Sequence, residues 1–256
     1  MSTLILIYHA VSDAGGGAVN PHHLPWRNFE AQVRYVSEHQ FNVLSWRELT
    51  DNDRRNAEMR LVFTFDDGAR SDLDSARLLA QHGFDALFFV STSLLGTPGY
   101  LTPQEILELS RAGMGIGSHA HRHEVMTPRT ESESRVEFAR SKGILEDIVQ
   151  SPVFHFSFPG GAYNRRLLNI GRSCGYRYFF TSDWGVNGER QRAAGVFRRT
   201  SVLNTFDARD IEALVRRRNY FRRQLAFRAK ELGKKVLSDE GYSRLRRAFL
   251  DVRRTR

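Results

Sequence analysis

Two adjacent carboxylates, Asp66 and Asp67, follow the apolar run Arg60-Leu-Val-Phe-Thr-Phe65 and precede Gly68. Val62, Phe63 and Phe65 suit a buried strand and the glycine suits a tight exit, so the acid pair is expected at the strand's C-terminal end. Neighbouring strand residues point to opposite sides, yet side chains just beyond the end can both turn into one cleft. Two acids that close repel unless a cation or a shared proton divides their roles. Taken alone, Asp-Asp-Gly also reads as a solvated turn. Further along, His119, His121 and His123 fall within five residues. If the segment after the expected strand at 114–117 continues as a helix, the four-residue spacing sets His119 and His123 on one face, where two imidazole nitrogens can reach one metal ion. The cluster could equally be a solvated loop, and the acid pair at a second strand end favours the metal reading. Two imidazoles and one carboxylate leave positions open on a divalent ion, as in catalytic rather than structural sites.

The elements that must position these groups alternate. Strands are expected at 4–9, 41–44, 60–65, 86–90, 114–117, 153–158, 178–181 and 196–202. Helices are expected near 29–39, 73–82, 103–111, 132–149 and 165–174, with a Gly-rich loop at 14–18. Continuous apolar strands alternating with helices imply an α/β fold with a parallel sheet. About seven such units without a Gly-rich dinucleotide turn favour a distorted (β/α) barrel, whose strand C-termini share one mouth.

At 256 residues the chain can hold one large domain or two small ones. Its net charge of +9 invites a nucleic-acid reading, but 15 of the 38 Lys+Arg and only 5 of the 29 Asp+Glu lie in 211–256, leaving 23 against 24 in the first 210 residues. The expected organisation is therefore a catalytic domain at 1–210 and a basic amphipathic helical extension at 211–256. The extension carries Leu225, Ala229, Leu232 and Val236, then Tyr242, Leu245, Phe249 and Val252, at helical spacing. It suits an anionic membrane surface better than nucleic acid, or else packs its apolar face on the barrel. The single cysteine, Cys174, excludes an intramolecular disulfide. The N-terminus lacks the basic and long apolar regions of a secretion signal, and no run is long enough to span a bilayer. A cytoplasmic enzyme, peripheral to the inner membrane face, is the expectation.

Thr64-Phe-Asp-Asp-Gly68, Ser118-His-Ala-His-Arg-His123 and Phe156-Ser-Phe-Pro-Gly-Gly161 together resemble the polysaccharide deacetylase family, the NodB-like carbohydrate esterases. The resemblance covers about 4–210, and the first two motifs in that order are highly specific. It implies a distorted (β/α) barrel with one divalent metal, most often Zn2+, with Co2+, Ni2+ or Mn2+ as alternatives. The implied activity is removal of N-acetyl groups from an amino-sugar glycan, here a precursor of an exopolysaccharide or cell-surface glycan. By position, Asp67, His119 and His123 resemble the metal triad and Asp66 the general base. Gly160 resembles the residue whose amide stabilises the oxyanion. No histidine follows His155, so the family's closing Leu-x-His is missing; Leu6-Ile-Tyr-His9 resembles the version found in a circularly permuted branch, which makes His9 the catalytic acid. Ser157 stands where many members have an arginine that holds the catalytic aspartate, and Arg199 is similar to an arginine near this point in permuted members. Asp183-Trp184 resembles a fourth motif, in which the acid orients the catalytic histidine and the aromatic lines the sugar site. Phe158 is grouped with Trp184 as substrate-binding. The competing readings are a related hydrolase of another amide or imide, and a catalytically silent carbohydrate-binding relative.

Overall fold

Every residue of the strand that ends at the acid pair is buried, because strands pack against it on both sides. The computed structural model describes residues 2–13, 20–49 and 59–216; the Gly-rich loop at 14–18 and all but the first residues of the basic extension lie outside them. In chain order the elements are β1 (Thr3–Tyr8), α1 (Trp26–Glu38), β2 (Asn42–Val43), β3 (Arg60–Phe65), α2 (Asp72–Gln81), β4 (Ala86–Val90), α3 (Pro103–Arg111) and β5 (Gly115–Ser118). They continue with α4 (Glu131–Val149), β6 (His155–Ser157), α5 (Arg165–Ser173), β7 (Tyr178–Phe180), α6 (Glu189–Ala194), β8 (Val196–Phe197), β9 (Thr200–Ser201) and α7 (Ala208–Val215).

All nine described strands join one sheet in the order β8-β7-β6-β5-β4-β3-β1-β9, with β2 beside the start of β3. Every ladder is parallel, as helical crossovers require. The single strand expected at 196–202 is two short ones. Val196 and Phe197 pair with β7, and Thr200 and Ser201 pair with β1, at the opposite end of the sheet. Three residues of chain span at most about 11 Å, so the sheet must curl until its two ends meet, and this segment closes a distorted barrel. Asn187 holds the seam: its backbone pairs with Thr3, its Oδ1 accepts from the Arg198 N–H at 2.8 Å, and its Nδ2 donates to the Arg198 carbonyl at 2.8 Å.

Strand periodicity sorts side chains between the barrel interior and the helical jacket. Leu61, Phe63 and Phe65 pack outward with Phe29, Val33 and Val36 of α1 in the main core. Val62, Ile5, Leu87, Phe89, Phe180 and Phe197 form a separate inner cluster. Gly117 faces inward, where a Cβ would lie 2.6 Å from the Phe89 ring. Two steps beyond Val62 comes Thr64, and two beyond that Asp66, so the same parity delivers Asp66 to the interior end of the barrel. α7 straddles the expected boundary at 210/211 with Ile211, Leu214 and Val215 buried. The compact unit therefore runs to Arg216. No helix of the described residues is long and apolar enough to cross a membrane.

Candidate active site

The acid pair owes its geometry to a backbone twist at Asp67, which has φ 82°. Asp tolerates this left-handed region better than most residues, and the twist turns consecutive carboxylates toward one side instead of opposite faces. Gly68 follows at φ 81° with a Val90 methyl 3.0 Å from where a Cβ would sit, so any side chain there would be strained and tightly packed. The segment after β5 is not the helix that the His119–His123 spacing suggested. It is a loop with Ala120 at φ 63° and His123 at φ 56°, and these two left-handed turns, rather than a helix face, bring both imidazoles together. Ligand atoms of Asp67, His119 and His123 lie within 4.8 Å of one another. His123 Nε2 is 2.9 Å and His119 Nε2 is 3.5 Å from Asp67 Oδ1.

The donor set fits a divalent cation. His119 Nδ1 meets the Ser157 carbonyl at 2.9 Å, which fixes Nδ1 as the protonated nitrogen and leaves the Nε2 lone pair facing Asp67. Burial holds the pKa of His119 below the ordinary histidine value despite the nearby Asp66 and Asp67 charges, so it is neutral as a ligand must be. The His123 contact to Asp67 raises the His123 pKa, so protons compete with a cation there.

Asp66 is 3% exposed and belongs to a different network. Arg199, fully buried, donates from NH1 to Oδ1 and from NH2 to Oδ2, both at 2.7 Å. Its NH2 also donates to Ser157 Oγ at 2.6 Å, its NH1 to Thr64 Oγ1 at 3.2 Å and its Nε to the Thr181 carbonyl at 3.1 Å. Ser157 Oγ donates in turn to Asp66 Oδ2 at 3.2 Å. Burial pushes the Asp66 pKa up, but the Arg199 charge, then His119, the Arg199 hydrogen bonds and His9, bring it well below the usual carboxylate range. The bidentate pair that Ser157 cannot make is thus made by Arg199 from across the seam.

Residues 53–179 match a family model described as polysaccharide deacetylase. YxkH of Bacillus subtilis, provisionally named a polysaccharide deacetylase, is 26% identical over 191 residues, which cover 73% of this chain and 67% of that protein. Over residues 53–179 the chain matches the polysaccharide deacetylase family. Among the solved structures that share the fold are two deacetylases. The Streptococcus pyogenes deacetylase PplD in complex with acetate has a TM-score of 0.76 at 20% identity, covering 84% of this chain and 98% of that one. The polysaccharide deacetylase BC0361 from Bacillus cereus has a TM-score of 0.74 at 21% identity, covering 84% and 69%.

The matched segment holds the acid pair, both histidines and Gly160, while His9, Asp183, Trp184 and Arg199 lie outside it. His9, just past β1, is close enough to Asp66 and Asp67 for its positive form to lower both of their pKa values. Its ring lies 4.8 Å from that of His22, and its buried Nδ1 has no hydrogen-bond partner among the described residues. Gly160 sits at φ 66° in the turn Pro159–Gly161 and is exposed; the Gly161 N–H is spent within that turn, on the Phe158 carbonyl. Trp184 is partly buried against the core.

Two of the expected site residues make other contacts. Phe158 is 1% exposed and stacks on Tyr163 and Phe179; its strand parity turns it into the helical jacket, so it is a core residue that no substrate touches. The exposed Asp183 carboxylate accepts from Tyr163 OH at 3.3 Å and has no described contact with His9.

Sequence reasoning also passed over Asp72. This first residue of α2 is fully buried, and neither carboxyl oxygen has a hydrogen-bond partner among the described residues. Burial, reinforced by the Asp67 and Asp66 charges, holds its pKa well above the ordinary value. A raised folded-state pKa means that the folded chain keeps a proton the unfolded chain releases, so this group's contribution falls as pH rises above about 3.9. Asp72→Asn removes that loss. The variant is expected to gain stability over wild type progressively between pH 4 and neutrality, in thermal melts of chelator-treated protein; a difference independent of pH would contradict a neutral Asp72.

Proposed function

We propose that this protein is a metal-dependent hydrolase that removes the N-acetyl group from an N-acetylhexosamine unit of a polysaccharide, oligosaccharide or lipid-linked glycan, releasing acetate. The observation that carries the reading is the meeting of Asp67, His119 and His123 within 4.8 Å, beside a buried Asp66–Arg199 pair that faces the same point without belonging to the donor set. The family match supports the acetyl chemistry.

When bound, a divalent ion, zinc first among Zn2+, Co2+, Ni2+ and Mn2+, supplies Lewis acidity to water and to the acetamide carbonyl. The protein's groups divide the rest. Asp66 takes the proton of the attacking water, and Arg199 and Ser157 aim it while keeping it ionised. His9 protonates the departing amine. The Gly160 N–H stabilises the oxyanion, and Trp184 offers an aromatic face to the sugar. An acid histidine directly after the first strand, ahead of the aspartate pair, supports the circularly permuted arrangement. The basic segment from 211 onward supports attachment to an anionic membrane surface, at the cytoplasmic face.

Metal analysis and acetate release test the reading together. The purified wild type is expected to hold about one divalent ion per chain, and Asp67→Ala and His119→Ala to hold well under half of that. The loaded wild type should release acetate from chito-oligosaccharides or lipid-linked acetamido sugars. Full occupancy in both variants would reject the site, and no acetate from any acetamido sugar would reject the activity.

A further inference from the structure

We infer that Glu137, in the middle of α4, is the positioning residue that shapes the metal loop; the inference rests on reading Asp67, His119 and His123 as ligands. Glu137 is 1% exposed. Its Oε2 accepts the backbone N–H of His121 at 3.0 Å and of Arg122 at 2.9 Å, and its Oε1 pairs with Arg122 Nε at 3.1 Å. The two amides belong to the residues between the ligands, directly after Ala120. One turn along the same face of α4, Ser141 Oγ receives a bond from Ser118 Oγ at 2.8 Å, and Ser118 Oγ accepts the Ala120 N–H at 3.2 Å. Three successive loop amides are therefore held by, or through, one helix.

The loop needs such a hold. Ala120 and His123 are both left-handed, a conformation that side-chain-bearing residues adopt only when their surroundings impose it. A buried carboxylate that accepts two consecutive amides fixes the backbone between the two histidines in one arrangement, and with it the turns that flank this pair. The His119 and His123 rings then lie with centroids 5.1 Å apart at 43°. If the loop relaxed toward extended or helical backbone, Nε2 of His123 would leave Asp67 while His119, fixed by Ser157, stayed.

The alternative is that Glu137 only stabilises the fold, and zinc binding by the metal-free full-length protein separates the two. The probes are Zn2+ alone, by chelator competition, and the visible spectrum of the Co2+ form. Glu137→Ala is expected to weaken Zn2+ binding about 10- to 100-fold and to change the Co2+ spectrum, the usual size for loss of a group that orients ligands. Thr130→Ala removes the cap of the same helix, whose hydroxyl accepts the Glu133 N–H at 3.3 Å, and should lower the melting temperature while leaving zinc affinity unchanged. Should Glu137→Ala not fold, Glu137→Gln carries the test, with weakening of about threefold or more expected and none for Arg122→Ala. Wild-type zinc affinity and Co2+ spectrum in a folded Glu137 variant would overturn the inference, as would equal weakening in Thr130→Ala. Absence of zinc binding by the wild type would instead remove the metal reading beneath it.

Discussion

Replacing Arg199 by alanine is expected to destabilise the folded chain by about 3 to 5 kcal/mol at neutral pH, because it strands a buried carboxylate. Arg199 is fully buried, and Asp66 is 3% exposed, so water cannot take over the two 2.7 Å bonds that the guanidinium makes. Ser157 Oγ alone would remain on Asp66. Packing is lost too, since the guanidinium lies 5.1 Å from the centre of the Phe89 ring and 5.8 Å from that of Phe180. Arg199→Lys should fall between, keeping the charge but not the two-pronged geometry. The sign with pH follows from Asp66. Its folded-state pKa is depressed, so its contribution is present above the unfolded value near about 3.9 and is lost as pH falls toward the folded one. In the alanine variant burial acts without Arg199, the pKa rises, and Asp66 takes up a proton as the solution is acidified. The gap between the two proteins should thus be widest near neutrality and close in acid. Urea denaturation of chelator-treated protein at several pH values measures it; a gap below about 1 kcal/mol at pH 7, or one that widens in acid, would show that the pair does not hold the barrel mouth.

The second large effect is kinetic. Asp66→Asn is expected to lower kcat/KM for deacetylation by about 10²- to 10⁴-fold while the metal content stays at the wild-type level, the range for losing a general base. The separation is possible because Asp66 is bound by Arg199 and Ser157, whereas the proposed cation site draws on Asp67, His119 and His123. Held well below the carboxylate range by Arg199 and its other neighbours against the effect of burial, Asp66 is ionised at any working pH. The acid limb of the rate profile should therefore follow metal occupancy, governed by proton competition at His123, whose pKa its Asp67 contact raises. More than about a tenth of wild-type activity in fully loaded Asp66→Asn would remove the residue from the base role.

The alternation of apolar runs with helices was legible because each run is continuous and each helix has its own stop, and α3 begins and ends where its Pro and the following Gly place it. That Asp67, His119 and His123 would come together was legible from motif order and residue type, although the way the backbone brings them together was not. A four-residue spacing reads as a helix face when only local geometry is considered, and nothing in Ala120 or His123 announces a left-handed backbone. Glu137 was invisible for a related reason. The buried side of α4 is Ser134, Glu137, Phe138, Ser141 and Leu145, and a face with three polar members carries no apolar stripe to mark it. The contacts of Phe158 and Asp183 were not legible, because adjacency to a motif says nothing about which way a residue just past a strand end points. Arg199 was found by its neighbourhood in sequence, but its contacts were not.

Sequence alone determined what is local: where most of the strands and helices fall, where carboxylates and imidazoles fall relative to strand ends, and that the charge excess lies past residue 210. Those features depend on side-chain shape, spacing and turn chemistry within a few residues. Tertiary structure alone decided what depends on curvature and partners. Because β8 and β9 pair with opposite ends of one sheet, the barrel closes and Arg199 at its seam meets Asp66, 133 residues away. Because α4 packs beside the loop after β5, a glutamate on its hidden face meets the amides between two histidines. Pairings at such separations are chosen by the global burial of apolar surface and of charge, which no short stretch of chain encodes.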